Sequence, residues 1–224
     1  MRLVCISDTH SLHRAMIHPL PDGDLLIHSG DFTHTGAVSE MSDFCRWFEA
    51  EARRYPLGAI LISGNHDRGL DRDKSVHAGI NREWVECCPK IRYLDRLVGT
   101  VTLGGVLFYG CPYTPESGRW AFQIGRGTSK HFWANELANG LGNCEVAITH
   151  GPPWGIGDEI LEGEHVGDDA MLEAFSNCEN LKLHVCGHIH AGYGARKHDD
   201  VTFINAAICD DAYKPVNEPI VCDI

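Results

Sequence analysis

The chain has 224 residues and a formal net charge of −12, with 43% hydrophobic and 22% charged residues. These proportions are ordinary for a globular protein, and the length allows a substantial buried core. The acidic balance argues against a surface that binds long nucleic acid, because such a surface needs clustered Lys and Arg. A small phosphorylated ligand held by a local positive charge, such as a metal ion, remains compatible with it.

The sequence carries no sign of export or of membrane insertion. Its first residues, MRLVCISDTH, lack the apolar stretch of a signal peptide, and no apolar run reaches the length of a membrane span. We therefore expect a cytoplasmic protein. Its ten cysteines match no zinc-finger spacing, and in that compartment they are expected to be reduced.

Short apolar runs of strand length recur along the chain, and most lack the alternation of a half-exposed strand. They predict buried strands at residues 3–6, 25–27, 59–62, 106–109, 146–148, 183–186 and 201–208. Apolar residues at three- and four-residue steps from Met41 to Tyr55 predict a helix that Pro56 ends. Asp168 predicts the N-cap of a later helix.

This order of elements predicts an α/β fold with a parallel sheet. The segment VTLGGVLFYG differs, since Gly104-Gly105 between two β-rich pieces predicts a hairpin and hence added antiparallel strands. The stretch from Pro112 to Trp133, rich in Gly, aromatic residues and Arg, is predicted to be a functional surface loop. Without an internal repeat or a linker, residues 1–224 are expected to form a single domain.

Polar side chains follow five of the predicted strands at their carboxyl ends, where open α/β sheets build sites. They are Asp8 and His10, then Asp31, then Asn65, His66 and Asp67, then His150, and finally His188 and His190. Taken singly, Asp8 or Asp31 could be a helix N-cap, and Asn65 could be a turn residue. His150 alone could be a hydrogen-bonded loop residue. Their joint placement at one edge of a sheet instead favours a ligand cluster.

The donor chemistry predicts two divalent metal ions. His188 and His190, two residues apart in extended chain, project to the same side and form a metal clip. Mixed carboxylate and imidazole donors suit Mn, Fe or Zn better than Mg or Ca. The donors are too few to saturate two ions, so solvent positions remain, as a catalytic site requires.

These residues, in this order, resemble the calcineurin-like metallophosphoesterase superfamily. The matching motifs are DTH at 8–10, GD at 30–31, GNHD at 64–67, H at 150 and GHIH at 187–190. The segments HGPP, GHIHAGYG and GRWAFQIGRG are similar to the small metallophosphoesterase-domain-containing subgroup. The resemblance implies a sandwich of two mixed sheets flanked by helices, in four layers.

The resemblance also implies a role for each matching residue. Asp8, His10, Asp31 and His190 would hold the first metal, and Asp31, Asn65, His150 and His188 the second. His66 would protonate the departing oxygen, with Asp67 orienting its ring, while a hydroxide bridging the metals attacks phosphorus. Some relatives in the subgroup carry a defective metal set, but both histidines of the last motif are present here, so a competent enzyme is expected.

The expected reaction is hydrolysis of a phosphomonoester or phosphodiester, with a small and possibly cyclic nucleotide as the favoured substrate. Candidate substrate contacts in loops are Arg119, Trp120, Trp154 and Tyr193. The aromatic rings could stack a base, or they could simply cover the core. A protein phosphatase or a nuclease on the same scaffold is an alternative. A metal-loaded interaction module without catalysis is another, which the presence of His66 disfavours.

Overall fold

The fold is described for residues 1–161 and 163–224 of a computed structural model. The strands are β1 (Arg2–Ile6), β2 (Leu25–His28), β3 (Ala59–Leu61), β4 (Ile91–Tyr93), β5 (Thr100–Leu103), β6 (Val106–Cys111), β7 (Thr114–Pro115), β8 (Gln123–Ile124), β9 (Val146–Thr149), β10 (Leu183–Cys186), β11 (Gly194–His198), β12 (Val201–Asn205) and β13 (Ile220–Asp223). The α-helices are α1 (Val38–Ala52), α2 (Ala78–Glu86), α3 (Ser129–Ala138) and α4 (Asp169–Phe175).

The first sheet has the strand order β13-β1-β2-β3-β4. Strands β1 to β4 pair in parallel, and β13 joins β1 in antiparallel orientation. Residues 25–28 and 59–61 are fully buried, as expected for apolar runs without alternation. The carboxyl ends of β1, β2 and β3 therefore lie side by side along one edge.

The second sheet has the order β11-β12-β10-β9-β6-β5. Its centre is parallel, from β12 through β10 and β9 to β6, and antiparallel strands close both sides. The predicted hairpin is confirmed, because β5 and β6 pair with Leu103 opposite Val106 across Gly104-Gly105. The parallel order places the carboxyl ends of β9 and β10 next to each other.

Three apolar clusters separate four layers. One lies between the two sheets and joins Leu3 and Ile27 to Val146 and Val185. A second packs α1 and α2 on the outer face of the first sheet, and a third packs α3 and α4 on the outer face of the second. The expected mixed two-sheet sandwich flanked by helices is confirmed.

Local signals explain how the helices begin. The predicted N-cap of α4 is confirmed, because the Asp168 carboxylate accepts hydrogen bonds from the backbone N–H groups of Ala170 and Met171. The same buried carboxylate accepts hydrogen bonds from Ser129 Oγ and Trp133 Nε1. It therefore ties the start of α4 to α3.

Two element boundaries differ from the prediction. The last long strand ends at Asn205, because the next residues leave the second sheet and Ala207 forms a bridge with Ser7 beyond the end of β1. The stretch from Pro112 to Trp133 is not a loop throughout. It contains the short pair β7–β8, and its last residues begin α3, where Trp133 is buried.

All ten cysteines lie within the described residues, and each is a free thiol. Burial raises the pKa of several of them, for example that of Cys45 to about 12, so these thiols resist ionisation. None of the helices in the described ranges combines the length and the hydropathy that crossing a bilayer requires.

Candidate metal centre

The predicted donors meet where the two sheets come together. Strands β1, β2 and β3 of the first sheet lead into Asp8, Asp31 and Asn65, and strands β9 and β10 of the second lead into His150 and His188. The expectation of a single sheet edge is therefore wrong, since both sheets contribute. The sandwich arrangement brings their carboxyl ends to one place.

The first donor group consists of Asp8, His10 and His190, whose ligand atoms lie within 4.8 Å of one another. Asp8 Oδ1 is 3.4 Å from His190 Nε2 and 3.8 Å from His10 Nε2. The two Nε2 atoms are 3.3 Å apart. One carboxylate oxygen and two imidazole nitrogens thus converge in a small volume.

The second donor group consists of Asp31, His150 and His188, again within 4.8 Å. Asp31 Oδ2 is 3.3 Å from His150 Nε2, and Asn65 Oδ1 is 3.0 Å from the same nitrogen. Asp31 Oδ2 also lies 4.0 Å from His10 Nε2, which belongs to the first group. His188 and His190 therefore do not form one clip: each serves a different group, and Asp31 lies between the groups.

In Asp8 and in Asp31, the two carboxylate oxygens have different partners. Asp8 Oδ2 accepts a hydrogen bond from the backbone N–H of His188 at 2.9 Å, and Asp31 Oδ1 accepts one from the backbone N–H of His66 at 2.7 Å. These bonds fix neighbouring loops. The second oxygen of each carboxylate remains directed at imidazoles, so neither residue acts as a helix N-cap.

The orientation of two imidazoles is set from behind. His150 Nδ1 donates to the carbonyl of Ser29 at 3.0 Å, and His190 Nδ1 donates to the carbonyl of Asp210 at 2.8 Å. Because a carbonyl oxygen can only accept, both Nδ1 atoms carry the proton and both Nε2 atoms face the carboxylates. A second partner of this kind is the usual support of a metal-ligating histidine.

In the metal-free protein each donor group holds one ion pair. Burial acts to lower the pKa of His150, but the Asp31 carboxylate outweighs it and raises the pKa to about 9. For His190, burial likewise acts to lower the pKa, but the Asp8 carboxylate outweighs it and raises the pKa to about 9. Burial lowers the pKa of His10 and that of His188 to about 4, so these rings are neutral near pH 7.

The donors fit divalent metal ions by an observation independent of the motifs. Asp8 Oδ1 is buried and makes no hydrogen bond with any described residue, although His190 Nε2 lies 3.4 Å away. The protonated His190 ring faces this oxygen at 3.4 Å without a hydrogen bond, so a directly bound divalent cation would compensate the buried carboxylate better. Carboxylate, amide and imidazole donors are the ligands of Mn, Fe and Zn sites.

The backbone is strained where the ligands lie. Asp8, His10, Asp31 and His188 have φ angles of 51°, 42°, 54° and 68°, in the left-handed region that non-glycine residues rarely adopt. Each such residue costs about 1–3 kcal/mol, and such strain concentrates at functional sites. The strands before them, buried apart from Arg2 of β1, hold these turns in place.

Position 187 requires glycine for a steric reason. A Cβ at this position would overlap Asp8 Oδ2 and Ser7 Oγ. A side chain here would displace the carboxylate of the first donor group. The motif GHIH thus needs its glycine for close packing.

His66 lies beside both groups and lines the cavity in front of them. Its Nδ1 donates to the carbonyl of His34 at 2.8 Å, which leaves Nε2 available to a ligand. Its ring stacks on Trp120 with centroids 4.4 Å apart. The backbone carbonyl and the indole together fix the imidazole.

The expected role of Asp67 in orienting His66 is wrong. The Asp67 carboxylate accepts hydrogen bonds from the backbone N–H groups of Gly64 (2.8 Å), Asp31 (3.0 Å) and Thr33 (2.9 Å) and from Thr33 Oγ1 (2.6 Å). These nearby donors hold both of its oxygens, and they lock the Asp31 loop to the Asn65 loop. Burial and the Asp31 carboxylate raise the pKa of Asp67 to about 7.

A cavity of about 340 Å³ opens onto the donor groups. Of the four expected substrate contacts, only Trp120 lines it. Arg119 is exposed and uses its backbone carbonyl to accept a hydrogen bond from Arg68, Trp154 is half-exposed beside His165, and the Tyr193 hydroxyl donates to the carbonyl of Glu218. These three side chains lie outside the cavity.

The cavity also contains residues that the sequence did not single out. Asp211 and Tyr213 come from the segment between β12 and β13. Ile160 comes from the segment between β9 and α4. Tyr213 has a φ of 56° and its ring centroid is 4.8 Å from that of His10. The one sequence signal for Asp211 and Tyr213 is the position of β12. A parallel strand next to β10 must end at the same edge of the second sheet as β10, so the segment that follows it begins near the site.

Comparisons with known proteins agree with this arrangement. A family model described as calcineurin-like phosphoesterase matches residues 1–192. Metallophosphoesterase domain-containing protein 1 of Homo sapiens is 34% identical over 240 residues, which span 100% of this chain and 71% of the relative. A UPF0046 protein of Caenorhabditis elegans is 33% identical over 239 residues, spanning 100% and 81%. One solved crystal structure superposes with a TM-score of 0.63 at 16% identity, over 91% of this chain and 89% of that chain, which shows the fold.

A two-sheet sandwich with paired donor groups and a matching family model defines a class, the metal-dependent phosphoester hydrolases. Within it, the chain belongs to the calcineurin-like phosphoesterase family.

Proposed function

We propose that the protein hydrolyses a small phosphodiester, with a cyclic or linear nucleotide as the favoured substrate, using two divalent ions and His66. The proposal rests mainly on the two donor groups, which lie on either side of Asp31. In the first of them, Asp8 Oδ1 is buried without a hydrogen bond. Each group offers three side chains, and with the shared Asp31 or with Asn65 each ion would have four protein donors, which leaves solvent positions at a five- or six-coordinate ion.

The two ions would be held as the donor groups suggest. Asp8, His10, Asp31 and His190 would bind the first ion, and Asp31, Asn65, His150 and His188 the second. Bound there, two ions of the Mn, Fe or Zn type would neutralise phosphoryl oxygens and lower the pKa of a water molecule. The hydrogen bonds that His150 Nδ1 and His190 Nδ1 donate to the carbonyls of Ser29 and Asp210 would keep the imidazoles aimed at the ions.

His66 would serve as the leaving-group acid. Its Nδ1 proton is engaged by the His34 carbonyl, so the acid would be the doubly protonated ring, whose Nε2 delivers its proton to the departing oxygen. The ring lines the cavity, and the backbone N–H of His66 donates a hydrogen bond to Asp31 Oδ1 at 2.7 Å. It is thus positioned by the same loop that supplies the bridging ligand.

The charge of the cavity favours a diester over a monoester. Among the described residues that line it, none is Lys or Arg, and Asp211 adds a negative charge at the rim. A monoester carries about two negative charges near pH 7 and a diester carries one. The diester therefore meets less repulsion once the metal charge is used at the reacting phosphorus.

The size and lining of the cavity favour a small substrate. About 340 Å³ is within the range of small-molecule sites. Tyr213 is 41% exposed and lines the cavity, so its ring is available to stack a base. Trp120 is less available for this purpose, because His66 covers a face of its indole.

The test is a metal and substrate panel. Protein stripped with a chelator is reloaded with Mn, Fe(II), Zn or Mg and assayed with bis-p-nitrophenyl phosphate, p-nitrophenyl phosphate and 2′,3′- and 3′,5′-cyclic nucleotides. A phosphopeptide and single-stranded DNA represent the protein phosphatase and nuclease alternatives. We expect turnover with Mn or Fe, and with Zn at two ions per chain, and a higher kcat/KM for small diesters.

His66→Asn separates the enzyme from a metal-loaded interaction module. The variant should retain both ions and lose about 10²–10⁴ in kcat, the usual contribution of a general acid. Full metal content without turnover in the wild type on every substrate would instead favour the interaction module. A wild-type rate in His66→Asn would remove the assigned role.

A further inference from the structure

Three imidazoles form a cluster beside the two donor groups, and two of them, those of His10 and His66, line the cavity. His10, His34 and His66 each offer one ring nitrogen within 4.8 Å of the others. His10 and His66 are buried, whereas His34 is exposed to solvent. His34 belongs to neither donor group, and we call these three residues the imidazole triad.

Each member of the triad has a nitrogen to spare. His10 Nδ1 is buried and makes no hydrogen bond within the described part of the chain. His66 uses Nδ1 for the His34 carbonyl and keeps Nε2. The ring of His34 lies 5.7 Å from that of His66 and 6.0 Å from that of His10, measured between centroids. An exposed ring over two buried ones gives a cation in solution direct access.

We propose that the imidazole triad is a further cation site, selective for zinc-like ions, and that its occupation inhibits the enzyme. Three neutral imidazoles with an open fourth position are a common zinc arrangement. Imidazole suits Zn, Cu and Ni, whereas Mg, Ca and Mn prefer carboxylate and carbonyl oxygens. The triad has no carboxylate, so its preference differs from that of the two carboxylate-containing donor groups.

The required adjustment is small. Zinc–nitrogen bonds of about 2.0–2.1 Å place the nitrogens of a tetrahedral site about 3.3–3.4 Å apart. Because the three nitrogens lie within 4.8 Å of one another, closing the triad needs a shift of at most about 1.5 Å. The His34 side chain is exposed and can rotate, while the backbone carbonyl of His34 stays bonded to His66.

The inhibitory effect follows from shared residues and rests on the proposed function. A zinc ion on the triad would take up the Nε2 atom of His66 and so remove the leaving-group acid. His10 also belongs to the first donor group through Nε2. Zinc at its Nδ1 would either release the Nδ1 proton to solvent and leave a bridging imidazolate, or draw the ring away from the first ion. Both effects oppose turnover, and neither involves a change in the second group.

The site is tested first without reference to activity. Manganese-loaded protein, kept in excess manganese, is titrated with zinc in competition with a chromogenic zinc chelator. The variants are His34→Ala and, as a matched control, His131→Ala, which removes an exposed histidine on α3. Wild type and His131→Ala should share a binding step that is weakened at least about 10- to 100-fold in His34→Ala, the loss found even for residues that only support a ligand. Superimposable isotherms for all three proteins would overturn the proposal.

The inhibition is tested on the small diester, with each protein normalised to its own zinc-free rate. His34→Ala should need correspondingly more zinc for half inhibition than wild type or His131→Ala, and equal concentrations of magnesium should not inhibit. Equal sensitivity of all three would overturn the inhibitory role, because zinc that merely replaces manganese in the donor groups acts on every variant alike. The zinc isotherm needs no turnover, so failure of the proposed function would leave it interpretable.

Discussion

The imidazole of His66 stacks on the indole of Trp120, with ring centroids 4.4 Å apart and planes inclined by 28°. The Arg68 guanidinium lies 4.8 Å from the centre of the same indole and donates to the Arg119 carbonyl. The next residue, Ala121, donates its backbone N–H to the Asn65 carbonyl at 3.2 Å. The Trp120 segment is therefore fastened to the loop that carries the proposed acid.

We expect Trp120→Ala to impair proton donation through misplacement of His66. Substrates with a poor leaving group, such as an alkyl or nucleoside diester, should lose about tenfold to a hundredfold in kcat, the scale of an ångström-sized misplacement. Substrates that release p-nitrophenol need little protonation and should lose much less. Trp154→Ala removes a half-exposed tryptophan outside the cavity and serves as the control. A loss confined to KM and equal for all leaving groups would contradict the positioning role.

Asp31→Asn tests the residue between the two donor groups. We expect lower occupancy of both ions, because one negative charge near both groups is lost while the amide oxygen can still accept the His66 backbone N–H. The measurement is the metal content per chain by mass spectrometry, with Asp199→Asn, at a highly exposed position, as the control. Normal metal content with normal turnover would show that Asp31 does not bridge.

Asp211→Asn tests the charge discrimination of the cavity. Removal of the rim carboxylate should raise kcat/KM for a monoester relative to a diester, by about two- to fivefold, as expected for an exposed charge pair. The change should shrink as salt is added. It is read as the ratio of rates on p-nitrophenyl phosphate and bis-p-nitrophenyl phosphate. An equal change on both substrates would contradict the argument.

The pH dependence of metal binding follows from the two ion pairs. The pKa values of His150 and His190 are raised to about 9 in the metal-free protein, so both rings are protonated at pH 7 and must lose protons to a metal. Metal affinity should therefore rise between pH 6.5 and about 9. Titration calorimetry at pH 7 in buffers of different ionisation enthalpy should show about two protons released per chain, and about one fewer in His190→Gln.

The same shifts fix the sign for stability. A raised pKa means that the ion pairs stabilise the metal-free protein fully below the ordinary histidine pKa of about 6.5. This contribution is lost as the pH rises through about 9. Thermal unfolding of metal-free protein should show the decline, and saturating metal should remove it. In the calorimetric experiment, a release of almost no protons on metal binding at pH 7 would mean that the rings of His150 and His190 are already neutral.

The sequence was most informative where chemistry follows a buried strand. Parallel strands such as β1 and β2 must end at one edge, so Asp8 and Asp31 could be placed together from their position in the chain alone. The meeting of two sheets was not readable from periodicity, because strand patterns carry no information on which sheet a strand joins. The two-sheet sandwich came from the resemblance and is confirmed, whereas the contribution of both sheets to one site was not predicted.

Features that depend on contacts distant in sequence were missed. Strand β13 pairs Asp223 with Arg2, and no local pattern indicates that partner. Helix α3 was hidden because its apolar residues do not follow a clear stripe, although Phe132 and Trp133 are buried. The role assigned to Asp67 was wrong because nearby backbone N–H groups donate hydrogen bonds to its carboxylate, which therefore does not orient the His66 ring.

Gly187→Ala tests whether the glycine of the last motif is required by packing against the first donor group. The added Cβ would overlap Asp8 Oδ2 and Ser7 Oγ, so the carboxylate must move and its bond to the His188 backbone N–H must break. We expect loss of one ion per chain and of turnover. Gly127→Ala, where a Cβ meets nothing within 4 Å, is the matched control and should retain both. Metal content and thermal unfolding with and without metal are the readouts. If Gly187→Ala keeps two ions and its metal-dependent stabilisation, Asp8 does not need the room that this glycine provides.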